Sequence, residues 1–439
     1  MPMSRLERAL DTFRQLHPRK IDLGLDRIER VLERLGNPQD NLPPGIHVAG
    51  TNGKGSTVAL LRAMLEADGG TVHVYISPHL VRFNERIVLG SEEIADDPLI
   101  DVLERVAEAN AGEPLSFFEA TTAAAFLAFS EHPADHAIIE VGLGGRYDAT
   151  NVFTPRACAI TPIDYDHAEF LGRDLAGIAG EKAGIIKPHT PVFTGPQREL
   201  VHAVLAGEAD RQDAPLKRWG GDFRSYRMQG RLVYETDREL LDLPLPALAG
   251  EHQISNSGLA IAVARDLGLS PDAIGHGLRS ARWPARMQPL TSGPLVDIAT
   301  DAGAEVWLDG GHNPHAARAL AAHMGQLEAR SPRPLVLLMG ILSNKDAGGF
   351  LDYFEGLAAG LVAVDVPGHA GLSPDVLAEL AASRGFATVV GNNMTDAMQK
   401  AVNMGEALSR QTADQPVIPP RVLICGSLYL AGEVLRDNA

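Results

Sequence analysis

The chain has 439 residues, of which 45% are hydrophobic, and carries a formal net charge of −17 at pH 7. Such an acidic surface repels the phosphates of nucleic acids and the headgroups of anionic lipids, so we expect neither a nucleic-acid partner nor a membrane partner. The two cysteines, Cys158 and Cys425, are too few for a disulfide scaffold or a cysteine-rich zinc module. They favour a reducing compartment, and the predicted location is the cytoplasm.

The N-terminal stretch, residues 1–13, has the pattern of an amphipathic helix with charges throughout, which is unlike a signal peptide. Apolar runs farther along the chain, such as residues 335–341, have the length of a strand and are much shorter than the roughly 20 residues that cross a bilayer. The sequence therefore predicts a chain without a membrane span.

Short apolar runs alternate with helical patterns through the first half of the chain. Each run ends in Gly, Pro or polar residues and is followed by helical periodicity, as in the helix predicted over residues 56–67. This alternation is typical of a mostly parallel sheet covered on both faces. The predicted strands are residues 46–49, 137–141, 157–161 and 191–194.

A second series of the same kind begins near residue 295. Proline and glycine collect just before it, at residues 287–294, where neither pattern holds, so we place a linker there. The sequence therefore predicts two α/β domains, residues 1–286 and residues 295–439, with ligands at the carboxyl ends of their strands. The predicted strands of the second series are residues 306–308, 335–339, 361–366, 387–390 and 422–425, and two of its helices are residues 314–324 and 374–382.

The strongest local signal is the sequence GTNGKGST, residues 50–57, between a predicted strand and a predicted helix. Glycines let backbone N–H groups approach an anion, the helix N-terminus adds its dipole, and Lys54 has the reach to contact terminal phosphates. The spacing departs from the usual Walker A pattern because Gly55 stands between Lys54 and Ser56. A tight turn with a solvated lysine is the alternative, but the motif in this setting favours phosphate binding.

Two candidate metal ligands follow other strands of the first series. Glu140 ends an apolar strand, where a buried carboxylate without a partner is costly, and Mg²⁺ is a hard cation that prefers carboxylate oxygen. His167 follows another strand. Taken singly, Glu140 is better interpreted as a surface carboxylate and His167 as a structural or exposed histidine. A carboxylate after one strand and an imidazole after another make a shared cation site a reasonable hypothesis.

Two further segments have simpler interpretations when each is taken alone. EKAGIIK places two lysines at the end of a helix, where solvated side chains are expected and nothing singles out Lys182. WLDGGHNP, in the second half, repeats the order of strand, glycine turn and helix, with Asn313 as a candidate N-cap and Pro314 at the first helical position. Asp309 and His312 belong either to a well-capped helix start or to a ligand site.

The motifs together resemble the folylpolyglutamate synthase and dihydrofolate synthase family, within the Mur ligase superfamily. One such motif is weak evidence, whereas the ordered set over nearly the whole chain is highly specific. The resemblance implies an α/β fold, with a Mur-ligase-like P-loop domain that has a mostly parallel sheet and a smaller, Rossmann-like C-terminal domain for glutamate ligation. The motifs are IDLGL (21–25), GTNGKGST (50–57), SPHL (77–80), FNERI (83–87), SFFE (116–119), EVGLGGRYDATN (140–151), DH (166–167), EKAGIIK (181–187), GEHQISN (250–256), WPAR (283–286), LDGGHNPHA (308–316) and GSLYLAGE (426–433).

The family implies an ATP-dependent amide ligase. A carboxylate has no usable leaving group, so ATP first phosphorylates it, and the amine of L-glutamate then attacks the acyl phosphate. Much of the catalysis is positioning plus electrostatic stabilisation of the transferring phosphoryl group by Mg²⁺ and Lys54. The leading hypothesis is a monomeric, bifunctional enzyme that glutamylates dihydropteroate and then extends reduced folates. A polyglutamylase without the first activity is the close alternative, and a nucleotide-dependent switch is the alternative from another class.

Carried over position by position, the resemblance implies roles for most motif residues. It implies two Mg²⁺ sites, one held by Ser77 and Glu140 and the other by Glu140 and His167. Lys182 matches the lysine that CO₂ carbamylates in the family, which turns a cation into an anion. The implied catalytic residues are Lys54, His167, Lys182, Asp309 and His312. The implied ATP-binding residues are Asn52, Gly53, Lys54, Gly55, Ser56, Thr57, Asn256, Arg286 and Asp309.

The resemblance also implies a pocket for the pteroate group. Phe117 and Phe118 supply an apolar wall in this interpretation, and a role as core aromatics is the alternative. The implied pocket residues are Leu23, Gly24, Leu25, Ser116, Phe117, Phe118, Glu119, Tyr147, Asp148 and Ala149.

The chain departs from the family at two small residues near the second series. Ala285 stands where the family usually has Gly, and Gly311 stands where it usually has Ala. Both changes alter backbone freedom more than chemistry. The stretch between them, residues 286–309, is longer than is typical, and we expect an extended hairpin there.

Overall fold

In the part of the chain that the computed structural model describes, residues 4–16, 24–410 and 417–438, an eight-stranded sheet organises the first of two units. Its strands are β1 (Gly45–Ala49), β2 (Val72–Tyr75), β3 (Ile87–Leu89), β4 (Glu92–Glu93), β5 (His136–Glu140), β6 (Ala157–Ile160), β7 (Val192–Thr194) and β8 (Leu216–Arg218). Their spatial order is β4-β3-β2-β5-β1-β6-β7-β8. In this order, neighbours from β2 through β5, β1, β6 and β7 to β8 pair in parallel, whereas β3 is antiparallel to β2 and β4 is antiparallel to β3. The carboxyl ends of β2, β5, β1 and β6 therefore meet at one edge.

The first unit also contains helices, some of which form the crossovers that parallel pairing requires. The helices are α1 (Arg5–Leu16), α2 (Asp26–Arg34), α3 (Lys54–Ala67), α4 (Asp96–Asn110), α5 (Phe117–Glu131), α6 (Ala168–Leu171), α7 (Leu175–Ala183), α8 (Glu199–Arg211), α9 (His252–Asp266) and α10 (Pro271–Ser280), and those from α3 to α8 lie between strands of the sheet. The phosphate-loop helix α3 is buried on most sides because it packs both on the sheet and on α10. A Cβ on Gly277 would lie 2.6 Å from Met64 Cα, so the absence of a side chain lets the two helices approach closely.

A small antiparallel sheet in the same unit was not predicted from the sequence. Its strands are β9 (Phe223–Met228), β10 (Arg231–Thr236) and β11 (Leu240–Leu243), in the order β11-β10-β9. The longest apolar run in these strands is three residues, 232–234, and charged residues stand close on both sides of it. Phe223 and Tyr234 stack on the buried face, with ring centroids 6.0 Å apart.

Among the described residues of the second unit, a six-stranded sheet has the order β12-β13-β17-β14-β15-β16. These strands are β12 (Gln288–Leu290), β13 (Glu305–Leu308), β14 (Leu335–Met339), β15 (Ala358–Ala363), β16 (Ala387–Val390) and β17 (Arg421–Cys425). Pairing is parallel except between β12 and β13. Every residue of the central strands β14 and β17 is buried, as their apolar runs predict. The helices are α11 (Pro294–Thr300), α12 (Pro314–Arg330), α13 (Ala347–Leu351), α14 (Pro374–Ala382), α15 (Met394–Ser409) and α16 (Leu428–Asp437).

The two units divide the chain at Arg282 and Trp283, and the segment Leu248–His252 also belongs to the second unit. The sequence placed a linker at residues 287–294 instead. In the structure, β12 lies within that stretch and pairs with β13, and α11 begins at its last residue. The Pro- and Gly-rich composition there reflects a helix start with Pro at its first position. The antiparallel pair of β12 and β13 agrees with the extended hairpin expected over residues 286–309, and α11 lies in the connection between the two strands.

The predicted α/β class is confirmed, with a large, mostly parallel sheet in one unit and a second sheet in the other. The strands predicted at residues 335–339 and 387–390 agree with β14 and β16 at both ends. None of the helices in the described ranges combines the length and the apolar character that a membrane span needs.

Candidate active site

The glycine-rich segment after β1 turns directly into α3, which begins at Lys54. Gly53 has a φ of +93°, and a Cβ on it would lie 2.6 Å from Asn256 Oδ1, so both conformation and space require glycine. Ser56 and Thr57 are buried in the first turn of the helix. A bare backbone at the start of a helix is the arrangement that binds phosphate groups.

The ammonium groups of Lys54 and Lys182 meet at one backbone carbonyl. Both Nζ atoms donate to Gly50 O, at 3.2 Å from Lys54 and 3.1 Å from Lys182. Burial, and then the charge of Lys54, lower the pKa of Lys182 to about 7, while nearby carboxylates oppose the shift. The expectation of a solvated Lys182 is wrong, because its side chain is only 5% exposed. A sizeable fraction is a neutral amine at neutral pH.

Glycines after β5 bring α7, and with it Lys182, to the end of the strand. A Cβ on Gly145 would lie 2.6 Å from Glu181 O and 3.0 Å from Lys182 Cα. A Cβ on Gly142 would lie 2.4 Å from the ring of Phe118. Phe118, on α5, therefore supports the loop. A larger residue at Gly145 would push the loop away from α7, and a larger residue at Gly142 would push it away from Phe118.

Asp148 is a buried carboxylate that holds this glycine loop in place. Its Oδ2 accepts a hydrogen bond from Leu143 N at 2.8 Å, and its Oδ1 accepts from both the backbone N–H and the hydroxyl of Thr150. Thr150 Oγ1 in turn lies 2.9 Å from His47 Nε2. Because Thr150 gives its only hydroxyl proton to Asp148, His47 Nε2 is the donor in that bond.

Burial sets the charge states along this chain of side chains. It lowers the pKa of His47 to about 3, so the imidazole is neutral, and it raises the pKa of Asp148. The structure thus gives Asp148 a positioning role under the loop. Sequence reasoning missed His47 and Thr150, although a histidine in the middle of an apolar strand was a usable signal.

The loop after β6 is joined to the phosphate loop by reciprocal hydrogen bonds. Thr51 Oγ1 donates to Asp164 O at 2.9 Å and accepts from Asp164 N at 3.0 Å. The backbone N–H groups of Thr51 and Asn52 both donate to Pro162 O. Arg198, which the sequence did not single out, pairs with the Asp164 carboxylate at 3.0 Å. The predicted ligand Asn52 therefore has its backbone N–H engaged within the protein.

His167 leaves this loop with an unusual backbone conformation. Its φ is +52°, which a residue other than glycine adopts at some cost. Its imidazole Nε2 lies 3.9 Å from Asp166 Oδ2, and 38% of the side chain is exposed. A partly exposed imidazole thus lies near the Asp166 carboxylate, on the loop that follows β6.

These segments together line one cavity. Of the catalytic residues predicted in the first unit, Lys54, His167 and Lys182 are all in its wall. The cavity thus combines two lysines, an imidazole, a carboxylate and bare glycine backbone, which suits a polyanionic ligand. Its lining residues are Gly50, Thr51, Lys54, Val141, Gly142, Leu143, Gly144, Asp166, His167 and Lys182.

The predicted metal ligands Ser77 and Glu140 lie at the same edge of the sheet. Ser77 follows β2 and Glu140 ends β5, and these two strands pair in parallel. Glu140 is buried. Within the described residues, no three His, Cys, Asp or Glu side chains are gathered to hold a metal ion. A small donor set of this kind fits Mg²⁺, which usually keeps several waters and binds through one or two carboxylates plus substrate phosphates.

In the second unit, Asp309 follows β13 and is held by backbone N–H groups. Its Oδ2 accepts from Met287 N and its Oδ1 from Gly311 N, both at 2.7 Å. Burial raises its pKa, and the nearby charge of Arg286 is the largest opposing influence. Arg286 Nη1 donates to Ala285 O at 3.0 Å. Asp309 therefore shapes the turn after β13, beside the Arg286 guanidinium.

The same turn carries His312 and leads into α12. His312 Nδ1 lies 2.9 Å from Gly310 O, so Nδ1 carries a proton and donates to that carbonyl. Asn313 Oδ1 accepts from Ala316 N at 2.9 Å, with Pro314 at the first helical position. The predicted N-cap is confirmed.

The chain matches two family models, the Mur ligase middle domain over residues 48–264 and the Mur ligase glutamate ligase domain over residues 293–427. The folylpolyglutamate synthase of Lacticaseibacillus casei is 35% identical over 427 residues, which are 93% of this chain and 92% of that protein. The chain belongs to the folylpolyglutamate synthase and dihydrofolate synthase family. It is an ATP-dependent ligase.

Solved structures of this family have the same fold. E. coli FolC in complex with DHPP and ADP superposes with a TM-score of 0.86 at 31% identity, covering 99% of this chain and 97% of that one. The bifunctional folylpolyglutamate synthase/dihydrofolate synthase of Yersinia pestis, complexed with AMPPNP and a Mn ion, has a TM-score of 0.83 at 30% identity, covering 99% and 98%. The predicted Mur-ligase-like fold is confirmed.

Two of the residues that the resemblance assigned to pteroate form hydrogen bonds or ion pairs with other groups of this ligase. Ser116 and Glu119 form a capping box at the start of α5, with Glu119 Oε2 accepting from Ser116 N at 2.7 Å. Glu119 also pairs with Arg27, whose Nη2 lies 3.0 Å from its Oε1. The buried Glu119 carboxylate therefore has hydrogen-bond and charge partners within the protein and does not need a substrate to supply them.

The aromatic residues predicted for the pocket have different surroundings: Phe117 packs against other side chains, and Tyr147 is exposed. Phe117 meets Phe83 edge to face, with centroids 5.9 Å apart, and the guanidiniums of Arg14 and Arg86 lie over its ring at 5.5 and 5.8 Å. Tyr147 is 46% exposed. Of the remaining predicted pocket residues, Gly24 and Leu25 lie at the start of α2, Ala149 is buried, and Leu23 is outside the described residues.

The two departures from the family pattern have structural counterparts. Ala285 has a φ of +54°, a conformation that glycine adopts without cost. A Cβ on Gly311 would lie 2.9 Å from Leu320 Cδ1 and 3.0 Å from Asp309 Oδ1. In this ligase, Leu320 occupies space that an alanine at position 311 would need.

Proposed function

We propose that this ligase adds L-glutamate to dihydropteroate, forming dihydrofolate, and to reduced folates, forming polyglutamates. The observation that carries the proposal is the cavity wall in which Lys54 and Lys182 share Gly50 O beside the loop that carries His167. The γ-phosphoryl group of ATP passes to a carboxylate oxygen of the substrate. The amine of glutamate then attacks the carbonyl carbon, phosphate leaves, and the amine loses a proton.

For the nucleotide, we assign the phosphates to the start of α3. Backbone N–H groups of residues 53–56 and the Lys54 ammonium stabilise the charge that develops during transfer. Asn256 stands against Gly53 and completes this part of the site. Contributions from Arg286 and Asp309 to ATP binding, and from His312 to phosphoryl transfer, are proposals that rest on the family resemblance.

For the metal, we propose that Mg²⁺ binds beside the phosphates. Ser77 and Glu140 would hold one ion, and Glu140 and His167 would hold a second. When bound, Mg²⁺ neutralises negative charge on the transferring phosphoryl group. The donor set supports this, since a buried carboxylate at the strand edge suits a hard cation. The AMPPNP and Mn ion in the Yersinia pestis structure agree with a site for a nucleotide and a divalent cation.

For Lys182, we propose carbamylation by CO₂. The neutral amine that burial favours at neutral pH attacks the carbon of CO₂, a C–N bond forms, and one proton is released. The product is an anion beside the Lys54 ammonium, so a like-charge pair becomes an ion pair. This anion would orient water on the second Mg²⁺.

For the pteroate group, we propose a site near Phe117, Phe118 and Tyr147, with Gly24 and Leu25. Aromatic rings offer flat apolar surfaces on which a pterin stacks. Ser116, Glu119 and Asp148 would act through the backbone that they hold, because their side chains bond within the protein. Ala149, buried in the same loop, would contribute packing.

The deciding experiment is glutamate-dependent phosphate release from Mg-ATP, with dihydropteroate and with a reduced folate monoglutamate in parallel. Turnover with both is the expected result. Turnover with the reduced folate alone would leave a polyglutamylase without the first activity. ATP binding without turnover on either substrate would contradict the proposed reaction and favour a nucleotide-dependent switch.

Lys182→Ala is the variant that tests the site. It should bind ADP but lose most turnover, because the carbamate is removed and the phosphate loop is not. Lys187→Ala is a matched control, since Lys187 Nζ donates to Asn151 O outside the cavity wall. Wild-type turnover in Lys182→Ala would remove Lys182 from the active site.

We propose that the enzyme works as a monomer in the cytoplasm on small-molecule substrates. The two buried free cysteines support a reducing compartment such as the cytoplasm, and the acidic composition supports small-molecule substrates over nucleic acid. The proposal of a monomer rests on the family resemblance. Sedimentation velocity of the purified chain, with and without ADP, tests the oligomeric state.

A further inference from the structure

Three buried polar side chains connect α9 with the first turn of α3. Asn256 Nδ2 donates to Gln253 Oε1 at 3.0 Å, and Gln253 Nε2 donates to Ser56 Oγ at 3.2 Å. Gln253 has no exposed surface, and Ser56 and Asn256 are 2% and 4% exposed. Water therefore does not compete for these groups, and their own chemistry sets the direction of the hydrogen bonds.

The hydrogen bonds run in one direction, from Asn256 to Ser56. Gln253 receives the Asn256 amide on its oxygen, so its NH₂ group faces Ser56. Ser56 Oγ is the acceptor in that bond, which leaves the hydroxyl proton for a different acceptor. At the other end, Asn256 turns its oxygen toward the loop, since a Cβ on Gly53 would lie 2.6 Å from Oδ1 but 3.3 Å from Nδ2.

We propose that Gln253 is a positioning residue that fixes the Ser56 hydroxyl as a hydrogen-bond donor to a nucleotide phosphate. The inference rests on the proposed nucleotide site at the start of α3. Gln253 need not touch the nucleotide, because it acts by occupying the acceptor side of the hydroxyl. A phosphate oxygen, which only accepts, then meets a proton already turned outward, and no rotational freedom is lost on binding.

A purely structural role for Gln253 makes a different prediction. It would anchor α9, and its removal would lower stability without a specific effect on nucleotide binding. The chain offers a matched control on the same helix. Ser225 Oγ donates to Ile254 O at 2.8 Å, so Ser225→Ala loosens α9 next to Gln253 while the bonds to Ser56 and Asn256 stay intact.

A double-mutant cycle on ADP affinity distinguishes the two roles. Titration calorimetry would compare the wild type with Gln253→Met, Ser56→Ala, the double variant and Ser225→Ala. We expect Gln253→Met to weaken ADP binding by about threefold, because the Ser56 hydroxyl can still donate to the phosphate but must first be ordered, at the lower end of the cost of immobilising a side chain. We expect no further loss when Gln253→Met is added to Ser56→Ala. Ser225→Ala should lower Tm and leave the ADP Kd near the wild-type value.

The kinetic counterpart is a rise in KM for ATP with kcat retained at saturating ATP. If Gln253→Met does not fold, Gln253→Leu serves as a second variant. It also removes the donor to Ser56 without adding a charge, so the same Ser56-dependent loss of affinity is expected.

Additive effects in the cycle, or a lower Tm with unchanged ADP affinity, would overturn the role of Gln253. Failure of the wild type to bind ADP would instead overturn the nucleotide site, and the inference with it. Measuring the wild type first separates these two outcomes.

Discussion

Lys54 and Lys182 donate to the same carbonyl oxygen, Gly50 O, at 3.2 and 3.1 Å. Two ammonium groups on one acceptor repel each other, and the pair lies where burial already disfavours charge. The pKa of about 7 for Lys182 follows from both effects. The phosphate loop thus holds, next to its own lysine, a second lysine that loses its proton near neutral pH.

Replacing Lys182 by Met should stabilise the protein most at low pH. The pKa is about 7 in the folded state against 10.5 as the ordinary value, so between these pH values the unfolded chain binds more protons. The wild type therefore gains stability with rising pH, and its deficit relative to Lys182→Met should shrink by about 3 kcal/mol between about pH 6 and pH 9. Urea titrations in CO₂-free buffer measure the difference. A difference that does not vary with pH would contradict a buried, depressed lysine.

Glu119→Ala should act mainly on stability. The change removes the capping box and the charge-assisted hydrogen bonds between Glu119 and Arg27, so we expect the free energy of unfolding to fall by about 2 kcal/mol. Glu113→Ala is the control, because its pair with Arg34 is 40% exposed on both sides and should matter little. If Glu119→Ala instead has unchanged stability and a raised KM for dihydropteroate, the prediction is contradicted and Glu119 belongs to the substrate pocket.

Asp148→Asn should disturb the glycine loop after β5. The carboxylate accepts hydrogen bonds from Leu143 N and from two donors of Thr150, and an amide would turn a donor toward one of them. We expect a loss of about 2 kcal/mol in the free energy of unfolding and a lower kcat. Asp135→Asn is the matched control, since Asp135 accepts from Thr71 N and Oγ1 in the same way at the surface. Equal Tm losses in both variants would contradict the role of burial.

Gly311→Ala installs the residue that the family usually has and should nevertheless destabilise this chain. The new Cβ would lie 2.9 Å from Leu320 Cδ1 and 3.0 Å from Asp309 Oδ1, so we expect the free energy of unfolding to fall by about 1 kcal/mol. Gly325→Ala on α12 meets nothing within 4 Å and should raise it by about 1 kcal/mol. Opposite signs in thermal denaturation are the expected result, and a gain in both would show that Leu320 moves aside.

Local patterns were sufficient for the phosphate loop and for nine of the seventeen strands in the described residues, which are neighbouring strands within the two larger sheets. The run GTNGKGST has to be a turn before a helix, because glycine backbone and a lysine at this spacing suit little else, and the structure places it between β1 and α3. The strand at residues 335–339 was predicted to the residue, since a wholly apolar run of that length belongs in the centre of a sheet. β9 to β11 escaped notice because their charged residues interrupt any apolar run.

The sequence by itself determined the fold class, the phosphate loop and the order of motifs that identifies the family. These are properties of neighbouring residues, which periodicity and spacing record. Only the tertiary structure decided that Lys182 is buried beside Lys54, that Glu119 is committed to Arg27, and that Gln253 lies against Ser56. Such relationships join residues far apart in the chain. They arise from the packing of α7 against the loop after β1, of α2 against α5, and of α9 against α3, which no local pattern records.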